Sequence, residues 1–303
     1  MGDGLPGSLS DKLISTPEKF PSRARAVRFV FSAATIRIRF VEPDVTQAEE
    51  GFSFVKVLVV NNEKGGVGKS TIAVHLAWYF AEHRKHVLFI DLDPQSNGTT
   101  TLSAQIREPE AAAFFVRSVA VPPLSAPGIR VAPATPALRG ILTVDGKIIQ
   151  QFCSNLKDVS QSYDVAVIDT PPTFGVRNLA ALIAGHFVLA PIDLDDYAID
   201  GIETLLKHIV GVRQKYNPNL NFLGLIPNRL QTTSPRQRDN LKSLIQKFGT
   251  KYLFDGVIPQ RSSIGEALAE KKPVWSLPKT AAREAGREMR MVFDKLAAKM
   301  ELA

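Results

Sequence analysis

The chain has 303 residues, 45% hydrophobic and 22% charged, with 20 glycines and 20 prolines, a balance that fits a folded globular protein and excludes a disordered or collagen-like one. Its longest apolar runs fall far short of the ~18 residues of a membrane-spanning helix, Met1 to Ser10 lack a secretory leader pattern, and the single Cys153 has no partner for an internal disulfide, so a reducing, cytoplasmic setting is expected. The net charge is +7, yet residues 206–252 alone hold nine Lys/Arg against one acidic residue, a concentration expected of a polyanion binder, with an ordinary solvated basic face as the plainer alternative.

In chain order, residues 1–54 form an N-terminal extension that reads as poorly ordered, rich in Gly, Pro and Ser, with Ile36 to Phe40 alternating like an edge strand. It is either a partner-binding arm or lies upstream of the natural start, since Glu49-Glu50-Gly51 is encodable by a purine-rich ribosome-binding sequence just before Val55. Residues 55–303 read as one domain. Val55 to Val60 is a buried strand running into Asn61-Asn62 and a glycine-rich turn, Thr71 to Glu82 a helix with a broad apolar face, and His86 to Ile90 a second strand ending in Asp91. Further strands are predicted at 129–132, 164–168, 187–190, 221–226 and about 254–258, alternating with helices near 136–159, 175–184, 197–215, 236–248 and 280–300. Near-continuous apolar strands alternating with helices define an α/β fold, a doubly wound, mostly parallel sheet covered by helices on both faces.

Lys64-Gly65-Gly66-Val67-Gly68-Lys69-Ser70, followed by Thr71, sits between a predicted strand and a predicted helix, the context that makes a phosphate-binding P-loop. Its backbone N–H groups and the helix N-terminus would face phosphate oxygens, Lys69 would reach the β- and γ-phosphates and the Ser70 hydroxyl would ligate Mg²⁺. Asp91 and Asp93 end the second strand, and Asp169-Thr170-Pro171-Pro172 follows the strand at 164–168. Both fall at the carboxyl ends of strands, where ligands bind in open α/β sheets. Asp169 is the candidate for the Mg²⁺ shell, with Ser70 and Asp93 beside it. Asp93 is also the candidate for orienting the attacking water, and Asp91 suits a structural role. The reading is ATP hydrolysis with ATP and Mg²⁺ as cofactors.

Lys64, a second lysine at the head of the P-loop, together with KGGVGKS, DLDPQSNGTT and DTPP, resembles the deviant Walker A ATPases of the ParA/MinD family. The similarity runs through most of residues 55–303, and Pro273-Val274-Trp275 with Lys279 to Arg283 is similar to the plasmid-partition branch of the IncC type. The resemblance implies an ATP-dependent sandwich homodimer in which Lys64 crosses to the partner's phosphates, adenine lying by Asn228, Arg229 and Pro259, non-specific binding to double-stranded DNA, nucleoid association, and release when a ParB-like centromere-binding protein stimulates slow hydrolysis. Glu63 departs from the Gln frequent at that position, and Ser70 from the commoner Thr. The loop Gln260 to Ser263 is less basic than in chromosomal relatives, so DNA contacts are assigned by charge instead: Lys207, Arg213, Lys215, Arg236, Arg238, Lys242, Lys247 and Lys251. The alternatives within the fold are a MinD-like membrane-associated regulator, through the helix at 280–300, and an adaptor that positions a protein cargo. Packing of that helix on the sheet is the favoured reading, as are core or packing roles for Trp78 and Trp275.

Overall fold

The structure, a computed structural model, describes residues 27–29, 38–40 and 55–302, apart from 108, 160–161, 195–197 and 232. The chain divides into two units, 1–48 and 49–303. In the first, β1 (Val27–Phe29) pairs antiparallel with β2 (Ile38–Phe40), Arg28 opposite Arg39. The alternating run thus does form a strand, shorter than expected. The poor order expected of residues 1–54 otherwise falls outside the described residues.

The second unit is built on eight strands: β3 (Lys56–Val60), β4 (His86–Asp91), β5 (Ile106–Arg107), β6 (Gly128–Ala132), β7 (Val165–Asp169), β8 (Phe187–Ile192), β9 (Asn221–Leu230) and β10 (Ile258–Pro259). They lie in the order β10-β9-β8-β3-β7-β4-β6-β5, and every neighbouring pair is parallel. The helices are α1 (Lys69–Glu82), α2 (Asn97–Thr101), α3 (Ala113–Val116), α4 (Gly146–Asp158), α5 (Val176–Ala184), α6 (Ala198–Lys215), α7 (Pro235–Phe248), α8 (Ser262–Ala269) and α9 (Thr280–Lys299). Parallel crossovers are right-handed. The step β3 to β4 moves one way along the sheet, whereas β6 to β7, β7 to β8, β8 to β9 and β9 to β10 all move the other way. So α1 covers one face and α4 to α7 the other. The packing agrees: α1 touches α2 and α9, and α8 touches α9, while α4 touches α5 and α5 touches α6.

The central strands β3 and β7 are buried almost throughout, which is why they read as unbroken β-branched runs. Ten of the fourteen residues of α1 are buried, from Lys69 to Phe80, because the helix lies between the sheet and α9 and has little free face. On α9 the residues Met289, Phe293 and Leu296, with Met300 at its C-terminal cap, are fully buried in that same core. The apolar face of this helix therefore packs inside the domain, as favoured above, and is not free to lie on a membrane. No helix among the described residues is long and apolar enough to cross one.

Two expected elements differ. The helix at 136–159 is divided into a 3-10 turn at Pro136–Gly140 and α4, because the Asp145 side chain accepts the Lys147 N–H at 2.9 Å and caps a new start. The strand at 254–258 shrinks to Ile258–Pro259: Phe254 N–H reaches Leu225 O at 2.8 Å, and then Gly256 N–H turns back to Phe254 O at 2.9 Å. The helix α8 was not expected from the sequence, and neither were α2, α3 and β5.

Candidate functional site

β3 is flanked by β7 and β8, and the chain leaves β3 in one direction and β7 in the other. That reversal opens the crevice where α/β sheets bind ligands, and residues 61–68 fill its edge. The loop is fastened at its root by two buried asparagines. Asn61 Oδ1 accepts from Thr170 Oγ1 at 3.0 Å and from Asn178 Nδ2 at 2.9 Å; Asn62 Nδ2 donates to Pro191 O at 2.6 Å, and Asn62 Oδ1 accepts the Lys64 N–H at 2.9 Å. None of Asn62, Thr170 and Asn178 stands out in the sequence as a site residue.

Gly66 and Gly68 have φ of 78° and 91°, a left-handed backbone that side-chain-bearing residues rarely adopt. A Cβ at Gly68 would stand 2.1 Å from Asn228 Nδ2, which donates to Val67 O at 2.7 Å. Asn228, at the end of β9, thus borders the loop, with Ile258 paired beside it in β10 and Pro259 following. Arg229 is exposed, with φ of 56°. Gly68→Ala is expected to destabilise the protein by about 1–3 kcal/mol through strain and collision and to abolish nucleotide binding. Thermal denaturation and nucleotide titration of the variant check this, and a fold and affinity equal to wild type would contradict it.

The two lysines of the loop behave differently. Lys69 is 6% exposed, and its Nζ donates to Lys64 O at 3.0 Å. Burial lowers its pKa, while the carboxylates of Asp169 and Asp93 oppose that shift. Lys64 is exposed, and its ammonium makes no hydrogen bond or ion pair among the described residues. Gly65, Val67, Ser70 and Thr71 complete the loop and first turn, with Val67 buried and Ser70 and Thr71 half-buried.

Three carboxylates meet at the strand ends. Asp91 is fully buried and spent on structure: it accepts from the Thr99 N–H at 2.7 Å, Thr99 Oγ1 at 2.8 Å and the Asp93 N–H at 3.1 Å. Burial nonetheless pushes its carboxyl up to about 6, against those hydrogen bonds. Asp93 is 7% exposed and accepts the Gln95 N–H at 3.0 Å. Asp169 is fully buried, and neither carboxylate oxygen meets a donor in hydrogen-bonding geometry among the described residues. Burial, reinforced by the Asp91 charge, drives its carboxyl well above the usual range, although the Ser70 hydroxyl and Lys69 ammonium pull the other way. Two buried acceptors that no described donor meets in hydrogen-bonding geometry, with the Ser70 hydroxyl alongside, fit the charge and oxygen preference of Mg²⁺ and its waters. Arg177 was not singled out from the sequence; it is half-buried, with the Asp93 charge opposing the lowering of its pKa by burial.

A second group missed in the sequence joins the loop to α6. Glu63 Oε1 lies 2.5 Å from His208 Nδ1, and the His208 ring stacks on Phe174 with centroids 3.9 Å apart. The departure at Glu63 thus has a partner. His75, by contrast, is a core residue: buried, bonded to Thr71 O at 2.8 Å, and held down to about 4 by burial. Burial pushes the Cys153 thiol up to about 12, leaving an inert group.

All eight basic candidates are exposed. Lys207, Arg213 and Lys215 stand on α6; Arg236, Arg238, Lys242 and Lys247 on α7; Lys251 in the turn after it. They share the layer opposite α1. Glu203 of α6 pairs with both Lys207 and Lys247 at 2.8 Å, and Lys242 pairs with Asp239 at 3.1 Å, so part of the local excess is neutralised.

A glycine-rich loop between the central strand and a buried helix, with one lysine folded into it and acids on the adjoining strand, defines a P-loop nucleotide-binding protein. A family model described as an AAA domain matches residues 55–222. The chain is 38% identical over 272 residues to the protein IncC of Escherichia coli, covering 85% of this chain and 73% of that protein. It is 33% identical to the chromosome-partitioning ATPase Soj of Thermus thermophilus, covering 73% of this chain and 87% of that one. An ATP complex of Cyanothece McdA shares the fold with a TM-score of 0.70 at 23% identity, covering 81% of this chain and 97% of that one. The chain belongs to the ParA/MinD family of P-loop ATPases, among the partition proteins.

Proposed function

We propose that the protein is a ParA-like partition ATPase: ATP and Mg²⁺ close a homodimer that binds double-stranded DNA without sequence preference, and hydrolysis stimulated by a ParB-like centromere-binding protein releases it. The observation that carries this reading is the division of labour between the lysines. Lys69 is committed to its own loop, whereas Lys64 is exposed and its ammonium has no hydrogen bond or ion pair among the described residues, which supports a role in reaching phosphates held by a second subunit. Leu142 and Phe174, 70% and 36% exposed, lie in loops on this same edge of the sheet and would be covered by that subunit. Residues 55–303 carry this activity, and the setting is cytoplasmic, on the nucleoid.

In this mechanism Lys69 and Lys64 offset the negative charge that spreads over the transferring γ-phosphoryl group, and Asp93 orients the attacking water. Mg²⁺ held by Ser70, Asp93 and Asp169 would polarise the phosphate oxygens. Asn228, Arg229 and Pro259 would flank adenine. DNA contacts come from the α6 and α7 cations, and each phosphate neutralised steepens the loss of affinity with salt. Two weakly binding basic faces joined in one dimer bind far more tightly than one.

The test is binding to a random-sequence duplex at near-physiological salt. Wild type with ATP is expected to bind at least tenfold more tightly than wild type with ADP or Lys64→Ala with ATP. Equal binding in all three would make the basic layer a constitutive polyanion site and overturn the switch. Binding in none would favour a protein cargo.

A further inference from the structure

The segment Pro273 to Arg283, singled out in the sequence, is left unused by ATP chemistry, and in the fold it builds one wall of a surface groove. A hollow of about 390 Å³ is lined by Trp275, Arg283, Arg287, Arg290, Met291 and Asp294. Its floor is held in place. Gly286 admits the Trp275 backbone so closely that a Cβ there would lie 2.5 Å from Trp275 Cβ. The indole Nε1–H donates to Glu82 at 2.8 and 2.9 Å, the Arg290 guanidinium sits 4.7 Å over the indole ring and 2.5 Å from Glu82, and Tyr79 OH fixes Asp294 at 2.6 Å.

The rim is different. Arg283 and Arg287, one helical turn apart and exposed, have side chains without hydrogen bond or ion pair among the described residues, and Met291, a turn further on, is 59% exposed. Glu82 compensates Arg290, while Asp294 holds only the neutral Tyr79 hydroxyl, so the groove keeps a net positive charge, carried on its rim by Arg283 and Arg287. The groove lies by Glu82 at the far end of α1, about 20 Å from the P-loop by helix rise, and on the layer opposite α6 and α7. An occupant there would leave the nucleotide and the proposed DNA face accessible.

We propose that this groove docks an acidic, aromatic-bearing segment of a protein partner. Tryptophan and arginine are enriched in the energetic centres of protein interfaces and methionine in interfaces generally, and a pre-fixed indole loses little entropy on binding. A phosphodiester backbone would satisfy the arginines but has no apolar group to cover Met291 and the indole edge. Carboxylates with an aromatic side chain between them answer both demands. The inference does not depend on the ATP switch and is tested without nucleotide.

The probe is a fluorescently labelled random copolymer of glutamate and tyrosine, with anisotropy measured on the full chain. Saturable binding is expected, at least tenfold weaker for polyglutamate lacking tyrosine and at least tenfold weaker for the protein carrying Arg283→Glu with Arg287→Glu. The same charge change on the opposite layer, Lys147→Glu with Lys157→Glu on α4, is expected to leave affinity within about twofold. Absence of binding, equal losses in the two reversed pairs, or displacement of the copolymer by random-sequence duplex DNA would each overturn the proposal, the last assigning the groove to nucleic acid.

Discussion

Lys69→Ala is expected to lower ATP turnover by about two to three orders of magnitude, the loss typical when one preorganised charge donor is removed from a reacting centre. The size of the effect follows from burial. The residue is 6% exposed, so water substitutes for its ammonium poorly, and charge interactions there are far stronger than on a surface. Its pKa is lowered by that burial, while Asp169 and Asp93 help to keep the proton. The Nζ donates to Lys64 O at 3.0 Å, a neutral acceptor from which a phosphate oxygen would draw it. Phosphate release and ADP affinity measured together provide the check. Both should fall for Lys69→Ala, whereas Lys64→Ala should retain ADP, which lacks the γ-phosphate. Turnover within fivefold of wild type would remove Lys69 from the chemistry.

Asp169→Asn is expected to abolish Mg²⁺-dependent turnover and yet stabilise the nucleotide-free protein at neutral pH. Both outcomes follow from one carboxylate, fully buried, near Asp91, and with no donor in hydrogen-bonding geometry among the described residues, its charge offset only by the neighbouring Ser70 hydroxyl and Lys69 ammonium. A buried group of this kind costs on the order of 1–3 kcal/mol, more when charged, which for a domain of this size corresponds to a melting temperature higher by about 2–4 °C for each kcal/mol relieved. The pH dependence has a definite sign. Because the folded carboxyl titrates above its unfolded value, the folded state holds this proton more tightly. The contribution is fully present below the unfolded pKa and is lost as pH rises through the raised folded pKa. The melting temperature of wild type should therefore drop below that of Asp169→Asn as pH rises from the ordinary carboxylate range into the alkaline range, in metal-free buffer. Curves that stay parallel across that range would show that Asp169 is not a strained acid.

The P-loop was legible because its chemistry is local: glycines, two lysines and a hydroxyl within seven residues, between a β-branched run and an apolar helix. The strand ends carrying Asp93 and Asp169 were legible because buried parallel strands read as uninterrupted apolar runs. What holds the loop was not. Asn61 meets Asn178 across 117 positions and Glu63 meets His208 across 145, and no local pattern reports such pairs. The α4 boundary was missed because apolar periodicity continued past Asp145, whose capping role depends on one side-chain torsion. The basic segment was visible as a run of charge, but its partial cancellation was not. Glu203 lies just outside residues 206–252 and reaches forward along α6 to Lys207 and across to Lys247 of α7.

The two margins of the eight-stranded sheet bear on how the protein behaves when crowded. β5 and β10 are each two residues long, and Pro259 in β10 has no N–H to offer. A long, flat edge strand is a template for pairing with other chains and for irreversible aggregation, and short or proline-bearing edges remove it. Edges this short offer little backbone for another chain to pair with, so extension of the sheet is a poor route to association for residues 55–302, and contacts through side chains on faces and loops are favoured instead.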